Sequence, residues 1–229
     1  MNEPLELTLS VGDRTTVSAL LLAPEPARAA YVFGHGAGAG MRHAFMAELS
    51  QALASHGVAT LRYQFPFMEG GTRRPDPPAV AHAAVRAAVS EMRARLPQAP
   101  LFAGGKSYGG RMTSQAQALA PMDGVLGLAF VGFPLHPADK PGIERAAHLA
   151  DVKVPMLFLQ GTRDELADLT LLRSVLAPLG ERATLHVEDD ADHSFHVRAK
   201  SGRKDAQVLA ELARTLSSWF ARVGSDLRA

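Results

Sequence analysis

The chain alternates between short apolar runs and longer segments whose apolar positions recur at helical spacing. Two runs near the amino terminus alternate apolar and polar residues, and they predict a hairpin that turns at residues 12–14. After this hairpin, predicted strands and helices follow one another along the chain. The predicted strands are residues 5–11, 16–22, 29–33, 59–65, 101–105, 125–131, 154–159 and 184–187. The predicted helices are residues 43–55, 79–96, 108–120, 143–149, 166–177 and 204–222, with Pro178 ending the fifth.

This order of elements predicts the α/β class. We expect a single domain over residues 1–229, with a mostly parallel central sheet of about eight strands and helices on both faces. Only a short segment follows the predicted strand at 125–131, so we predict no cap domain and an open, shallow cavity. We expect the cavity walls to be residues 66–78, residues 133–141 and residues near Arg42 and Phe195. The aromatic stretch 63–67 is a further candidate wall, with an interface as the alternative.

A serine lies at a glycine-flanked turn between a predicted strand and a predicted helix. Ser107 is the central residue of GGKSYGG, with Gly105 two positions before it and Gly109 two positions after it. A backbone that bends sharply from strand to helix leaves no room for side chains at those two positions. This pattern is typical of a nucleophile, and a structural serine in a glycine-rich turn is the alternative.

A nucleophilic serine needs a histidine that accepts its proton and an acid that orients the histidine. Asp164 follows the predicted strand at 154–159, and His193 lies in the polar loop after the strand at 184–187. All three residues therefore fall at the carboxyl ends of strands, where the sites of such sheets lie. The alternatives are a helix-capping role for Asp164, with Glu165, Asp168 or Asp139 as the acid, and His196 as the base.

A glycine-rich loop follows the predicted strand at 29–33. Its sequence, GHGAGAG, has few side chains, so its backbone can approach a ligand closely. We expect the backbone N–H groups of Ala37 and Tyr108 to form an oxyanion hole, which binds the negative charge that develops on a substrate carbonyl. His35 lies in the same loop, and we expect it to stabilise the loop by a hydrogen bond.

Charge and composition argue against several classes of function. The net charge is +1 with acidic and basic residues interspersed, which is not typical of a nucleic-acid-binding surface. The chain has no cysteine, and His136 and His148 show no paired ligand spacing, so we expect no metal site and no cofactor. The chain shows no signal-peptide pattern, no apolar run of membrane-spanning length and no pattern that specifies an oligomeric state. We therefore expect a cytoplasmic protein without a membrane partner.

Five segments, in kind and order, resemble those of a known superfamily: FGHGAGAG, RYQFPF, GGKSYGG, LQGTRDE and DADHSF. The resemblance is to the α/β-hydrolases, specifically to their small lidless members similar to dienelactone hydrolase, and it spans nearly the whole chain. It implies a serine hydrolase. Dienelactone hydrolases proper use a cysteine nucleophile, whereas this chain contains no cysteine, so dienelactone is not the indicated substrate.

The sequence thus predicts a serine hydrolase that cleaves a small ester or related acyl substrate through an acyl-enzyme intermediate. Ser107 would attack the carbonyl, His193 would transfer the proton, and Asp164 would orient His193. Lys106 and Arg111, which flank the serine, are candidates for binding an anionic part of the substrate, and solvated or ion-paired side chains are the alternative. The alternatives are thioester, amide or acyl-transfer chemistry on the same residues, and a non-catalytic binding or scaffolding module with this fold.

Overall fold

The computed structural model describes residues 3–13 and 15–226, so Arg14 in the predicted hairpin turn lies outside the described residues. Eight strands form one sheet, and the predicted α/β fold is confirmed. The strands are β1 (Leu5–Val11), β2 (Thr15–Leu22), β3 (Ala29–Gly34), β4 (Val58–Tyr63), β5 (Leu101–Lys106), β6 (Val125–Val131), β7 (Met156–Gly161) and β8 (Ala183–Glu188). Their order across the sheet is β1-β2-β4-β3-β5-β6-β7-β8. β2 is antiparallel to both of its neighbours, and all other neighbouring strands are parallel.

Helices cover both faces of this sheet. They are α1 (Ala44–Ser55), α2 (Pro66–Glu69), α3 (Pro78–Arg95), α4 (Tyr108–Leu119), α5 (Leu169–Leu176) and α6 (Asp205–Asp226), with 3₁₀ helices at Glu144–Asp151, Ala177–Arg182 and Ala199–Ser201. α1 and α6 pack on one face, and α3, α4 and α5 pack on the other. Within the described part of the chain, the strand β6 is followed by no additional cap domain, as predicted. No described helix is both long enough and apolar enough to cross a membrane.

Some boundaries differ from the prediction for local reasons. The segment predicted as a helix at 143–149 is a 3₁₀ helix. α5 begins three residues later than predicted, because Asp168 caps it by accepting a hydrogen bond from the N–H three residues on, at 2.9 Å. β7 begins only at Met156, because Pro155 has no N–H to donate to the sheet. The short helix α2 was predicted as a loop, and Pro66 at its first position favours the helical backbone.

The central strands are buried on both faces. In β3, the side chains of Tyr31 and Phe33 pack into the core under α1 and α6, while those of Ala30 and Val32 pack into the core under α3 and α4. All four residues are fully buried. Because helices cover both faces of this parallel strand, its sequence is a continuous apolar run, and such a run predicts a strand of this kind.

Three glycines bring the backbones of β3, β5 and α4 into direct contact. A Cβ atom added at Gly105 would lie 2.5 Å from the carbonyl oxygen of Gly34, the last residue of β3. A Cβ added at Gly109, in the first turn of α4, would overlap the same carbonyl group. The turn between β5 and α4 can therefore lie against the end of β3 only because these positions have no side chains.

We expect Gly109→Ala to lower the free energy of unfolding by about 1–3 kcal/mol, because the added methyl group meets backbone that cannot move aside. Urea unfolding followed by circular dichroism measures this change. Gly38→Ala is the matched control, because a Cβ there meets no described atom within 4 Å. Equal stability of the two variants would contradict the close packing of Gly109.

Candidate active site

Ser107 occupies the tight turn between β5 and α4 in an unusual backbone conformation. Its φ is 51° and its ψ is −116°, and a positive φ in a residue other than glycine costs about 1–3 kcal/mol. Two hydrogen bonds hold this conformation: Ser107 N–H donates to the carbonyl of Val131 on β6, and the carbonyl of Ser107 accepts from Arg111 N–H, each at 3.1 Å. The turn predicted around Ser107 is thus a strained one, fixed by its neighbours.

A chain of hydrogen bonds joins Ser107 to His193 and Asp164. Ser107 Oγ lies 2.9 Å from His193 Nε2, and His193 Nδ1 lies 2.7 Å from Asp164 Oδ2. Because a carboxylate only accepts hydrogen bonds, Nδ1 carries the imidazole proton and Nε2 is free to accept the hydroxyl proton of Ser107. The side chain of Asp164 is 0% exposed and that of His193 is 24% exposed. The serine, histidine and acid proposed from the sequence therefore lie in hydrogen-bond contact.

Gln160, near the end of β7, holds the carboxylate of Asp164 and was missed by sequence reasoning. Its Nε2 donates to Asp164 Oδ2 at 2.5 Å, and its Oε1 accepts from Phe133 N–H at 2.9 Å. The other oxygen, Asp164 Oδ1, accepts from Leu166 N–H at 2.8 Å. Both oxygens of the buried acid are thus fixed in orientation. The one feature of the sequence that indicates this role is the amide side chain of Gln160 itself, which follows an apolar run and precedes Asp164 by four residues.

The alternative acids and base lie away from this contact. Asp168 caps α5, and Glu165 and Asp139 are exposed. His196 Nδ1 bonds to Asp205 at 2.8 Å on the surface, and this hydrogen bond raises the pKa of His196. The contacts thus distinguish His193 and Asp164 from every alternative considered.

Lys106 supports the loop that carries His193. Its Nζ donates to the carbonyl oxygen of His193 at 2.5 Å and lies 5.6 Å from the centre of the Phe195 ring. Burial lowers the pKa of Lys106 to about 8, and the nearby carboxylates of Asp164 and Asp192 act in the opposite direction. Of the two basic residues beside the serine, Lys106 therefore binds the loop that carries His193.

His35 fixes the peptide between Gly36 and Ala37. Phe65 N–H donates to His35 Nε2 at 3.0 Å, so Nδ1 carries the proton and donates to the carbonyl of Gly36 at 2.7 Å. In a trans peptide, the N–H of Ala37 points away from the Gly36 carbonyl, and hence away from the His35 ring. His35 thus has the loop-stabilising contact expected of it, and burial lowers its pKa to about 4.

Tyr108 begins α4 directly after Ser107. An N–H at the first position of a helix has no acceptor within the helix, so the N–H of Tyr108 is available to a ligand at this end. The Tyr108 ring packs edge-on against Phe65 and Phe67, at 5.1 and 5.9 Å between ring centres. Phe65, Phe67 and Tyr63 are all buried. The prediction that residues 63–67 form a cavity wall or an interface is therefore wrong, because these rings turn into the core beneath the glycine-rich loop.

Two cavities adjoin Ser107, and Ala37 lines both of them. The histidine-side cavity has a volume of about 240 Å³, and its other lining residues include His43, Phe45, Met46, Lys106, His193 and Ser194. The arginine-side cavity has a volume of about 420 Å³, and its other lining residues include Pro75, Asp76, Tyr108, Arg111, Pro134 and Arg145.

Parts of both predicted wall segments, 66–78 and 133–141, thus line the arginine-side cavity. Walls from residues near Arg42 and Phe195 are also predicted, and His43 and Ser194, their chain neighbours, line the histidine-side cavity. Arg42 itself pairs with Glu6 at 2.7 Å, and Phe195 is buried against Phe45. The prediction that residues near Arg42 and Phe195 form a wall is therefore confirmed.

A second serine–histidine contact lies beneath α4. Ser114 Oγ is 2.7 Å from His148 Nε2 and 2.9 Å from the carbonyl of Arg111. Ser114 is fully buried, and burial lowers the pKa of His148 to about 4. Neither residue lines a cavity that contains Ser107. This contact joins α4 to the 3₁₀ helix Glu144–Asp151.

One group of metal-type ligands lies elsewhere, at the end of β8. Side-chain atoms of His186, Glu188 and Glu211 lie within 4.8 Å of one another. The guanidinium of Arg203 donates to both carboxylates, at 2.9 and 2.8 Å. Because this cation already bridges the two acids, we assign no metal to the group.

The stability of the protein is expected to fall between pH 6.5 and pH 4 in part through His35. An unfolded histidine takes up a proton near pH 6.5, whereas folded His35 does so only near pH 4. The contribution of His35 to the free energy of unfolding is therefore complete above pH 6.5, and it decreases by up to about 3 kcal/mol as the pH falls to 4.

Urea unfolding at pH 7.5 and pH 4.5 should show a smaller loss of stability for His35→Asn than for the wild type, because asparagine does not titrate. Part of the loss should remain in the variant, since burial also lowers the pKa of His148 to about 4. Identical losses in the two proteins would exclude His35 as a source of the pH dependence.

Comparisons with known proteins identify relatives of this chain. The sequence profile of the alpha/beta hydrolase domain family matches residues 27–221. A dienelactone hydrolase from Anabaena variabilis has a similar structure, with a TM-score of 0.74, 21% sequence identity and coverage of 96% of this chain and 99% of that one. A lidless serine hydrolase from Xanthomonas campestris gives a TM-score of 0.73, 22% identity and coverage of 96% of both chains. An esterase domain from Rhodothermus marinus gives a TM-score of 0.74, 18% identity and coverage of 96% of this chain and 99% of that one. The chain belongs to the alpha/beta hydrolase domain family.

Proposed function

We propose that this chain is a serine hydrolase that cleaves a small carboxylic ester through an acyl-enzyme intermediate. Family membership supports hydrolase activity, and the structurally similar proteins include a serine hydrolase and an esterase domain. The observation that carries the proposal is the hydrogen-bond chain from Asp164 through His193 to Ser107, with distances of 2.7 and 2.9 Å. In this arrangement the imidazole is held in the tautomer that can accept a serine proton.

In the first half-reaction, Ser107 Oγ forms a bond to the carbonyl carbon of the ester. The hydroxyl proton moves to His193 Nε2, and the carbonyl π electrons move onto its oxygen. When the tetrahedral intermediate collapses, the bond to the leaving oxygen breaks, and that oxygen takes the proton from His193. The alcohol leaves, and the acyl group stays on Ser107.

In the second half-reaction, water replaces the alcohol. His193 Nε2 accepts a proton from the water, whose oxygen bonds to the acyl carbon, and the collapse returns that proton to Ser107 Oγ. The carboxylic acid leaves, and the free hydroxyl is restored. In both halves Asp164 stabilises the positively charged imidazole, and Gln160 keeps the acid in its orientation.

The charge on the substrate oxygen requires donors that are in place beforehand. We assign the N–H groups of Ala37 and Tyr108 to this role. The bond from His35 to the Gly36 carbonyl supports the first assignment, because it orients the N–H of Ala37 away from that ring. The position of Tyr108 at the amino end of the 12-residue helix α4 supports the second, because the helix dipole favours negative charge there.

We expect Ser107→Ala to lower ester hydrolysis by at least about 10³-fold, because the variant cannot form the acyl-enzyme. The measurement is hydrolysis of short-chain 4-nitrophenyl esters, together with labelling by a fluorophosphonate probe located by peptide mapping. Wild-type protein should be labelled at Ser107 alone.

Ser114→Ala is the matched control, because Ser114 also contacts a histidine nitrogen, at 2.7 Å. This variant should keep both hydrolysis and labelling of Ser107. Full activity of Ser107→Ala, or loss of labelling only in Ser114→Ala, would overturn the proposal. A folded wild-type protein that neither hydrolyses esters nor takes up the probe would instead favour a non-catalytic module.

A further inference from the structure

The arginine-side cavity carries an excess of positive charge next to Ser107. Arg111 follows Ser107 by one turn of α4, and Arg145 enters the same cavity from the 3₁₀ helix Glu144–Asp151. Within the described residues, neither arginine forms an ion pair. Asp76 is the one acidic residue that lines this cavity, and it pairs with neither of them. Two guanidinium groups therefore lie beside the nucleophile without a carboxylate partner.

Several polar atoms of this cavity's lining residues are buried but lack hydrogen-bond partners among the described residues. They are Arg111 Nε, Tyr108 Oη and Asp76 Oδ2. Burial, together with the charge of Arg145, lowers the pKa of Arg111, yet a guanidinium stays protonated in proteins. Arg111 Nε and Tyr108 Oη can donate a hydrogen bond, whereas Asp76 Oδ2 can only accept one. A buried donor without an acceptor is unfavourable, and the two arginines outnumber the single carboxylate of this cavity. The cavity is therefore better matched to a ligand that brings acceptor atoms than to an apolar acyl chain.

The proton transfers of the proposed reaction decide which part of an ester occupies which cavity. The leaving oxygen takes its proton from His193 Nε2, so the alcohol must lie on the side of the imidazole. His193 lines the histidine-side cavity and does not line the arginine-side cavity. The acyl group is then directed to the arginines. The alcohol lies near Phe45 and Met46, in a smaller space of about 240 Å³.

We propose that the acyl group of the substrate ends in a carboxylate, which Arg111 and Arg145 bind, so that the substrate is a half-ester of a short dicarboxylic acid. This inference rests on the proposed function of Ser107 and adds the substrate class. The guanidinium groups of both arginines match a carboxylate in geometry and charge. Arg111 lies one helical turn after Ser107. The cavity that both residues line has a volume of about 420 Å³, which suits a short acyl chain.

The test compares monomethyl glutarate with methyl pentanoate, which has an acyl chain of the same length but no charge. For each ester, kcat/KM is measured from the methanol released. The wild-type protein should prefer monomethyl glutarate. Arg111→Gln and Arg145→Gln should each lower the ratio of kcat/KM for monomethyl glutarate to kcat/KM for methyl pentanoate by about tenfold or more. Arg173→Gln, an exposed arginine that lines neither cavity, is the control and should leave the ratio unchanged.

A second readout does not depend on turnover. Glutarate should slow fluorophosphonate labelling of Ser107 in the wild type and should slow it less in Arg111→Gln and Arg145→Gln. If methyl pentanoate is hydrolysed and Ser107 is labelled, but both arginine variants keep the wild-type ratio, the inference is wrong and the proposed function stands. If Ser107 takes up no probe and neither ester is hydrolysed, the proposed function fails as well.

Discussion

The site depends on the contact between the backbones of β3, β5 and α4. Gly34, Gly105 and Gly109 meet without side chains, so the end of one strand touches the start of the helix that follows the other. This contact places the glycine-rich loop after β3 beside Ser107 and keeps the first turn of α4 close to both. The strained backbone of Ser107 is tolerated because bonds to Val131 and Arg111 fix the residues around it.

The acid of the hydrogen-bond chain is buried, whereas the histidine and the serine are partly exposed. Asp164 is enclosed and has both carboxylate oxygens bonded, His193 is partly exposed, and Ser107 borders two cavities. A carboxylate shielded from water interacts strongly with the single imidazole that it faces. Lys106 adds a second constraint, because it holds the backbone of the histidine loop while Asp164 holds the ring.

The sequence predicted the fold and the three hydrogen-bonded residues because both leave local patterns. Apolar runs mark strands that are buried on both faces, and flanking glycines mark the turn at Ser107. The role of Gln160 leaves no such pattern, since it depends on how far an amide reaches from the end of β7 to Asp164.

One predicted cavity wall, residues 63–67, is wrong for a similar reason. The sequence shows that aromatic residues occupy this stretch, but tertiary packing sets the directions of their side chains, and it turns them into the core. Arg111 was recognised as a candidate for binding an anion. The presence of Arg145 beside it follows only from the folded path of the chain between β6 and β7.

Connections of different length carry the hydrogen-bond chain and line the arginine-side cavity. Ser107 follows β5 directly, and Asp164 follows β7 within three residues, so an insertion in either turn would displace a member of the hydrogen-bond chain. The segments 66–78 and 133–141 contribute lining residues to the arginine-side cavity and carry none of the three hydrogen-bonded residues. Changes of length or sequence in these two segments can reshape the cavity while the hydrogen-bond chain stays in place, which makes them the natural targets for evolution and for loop grafting.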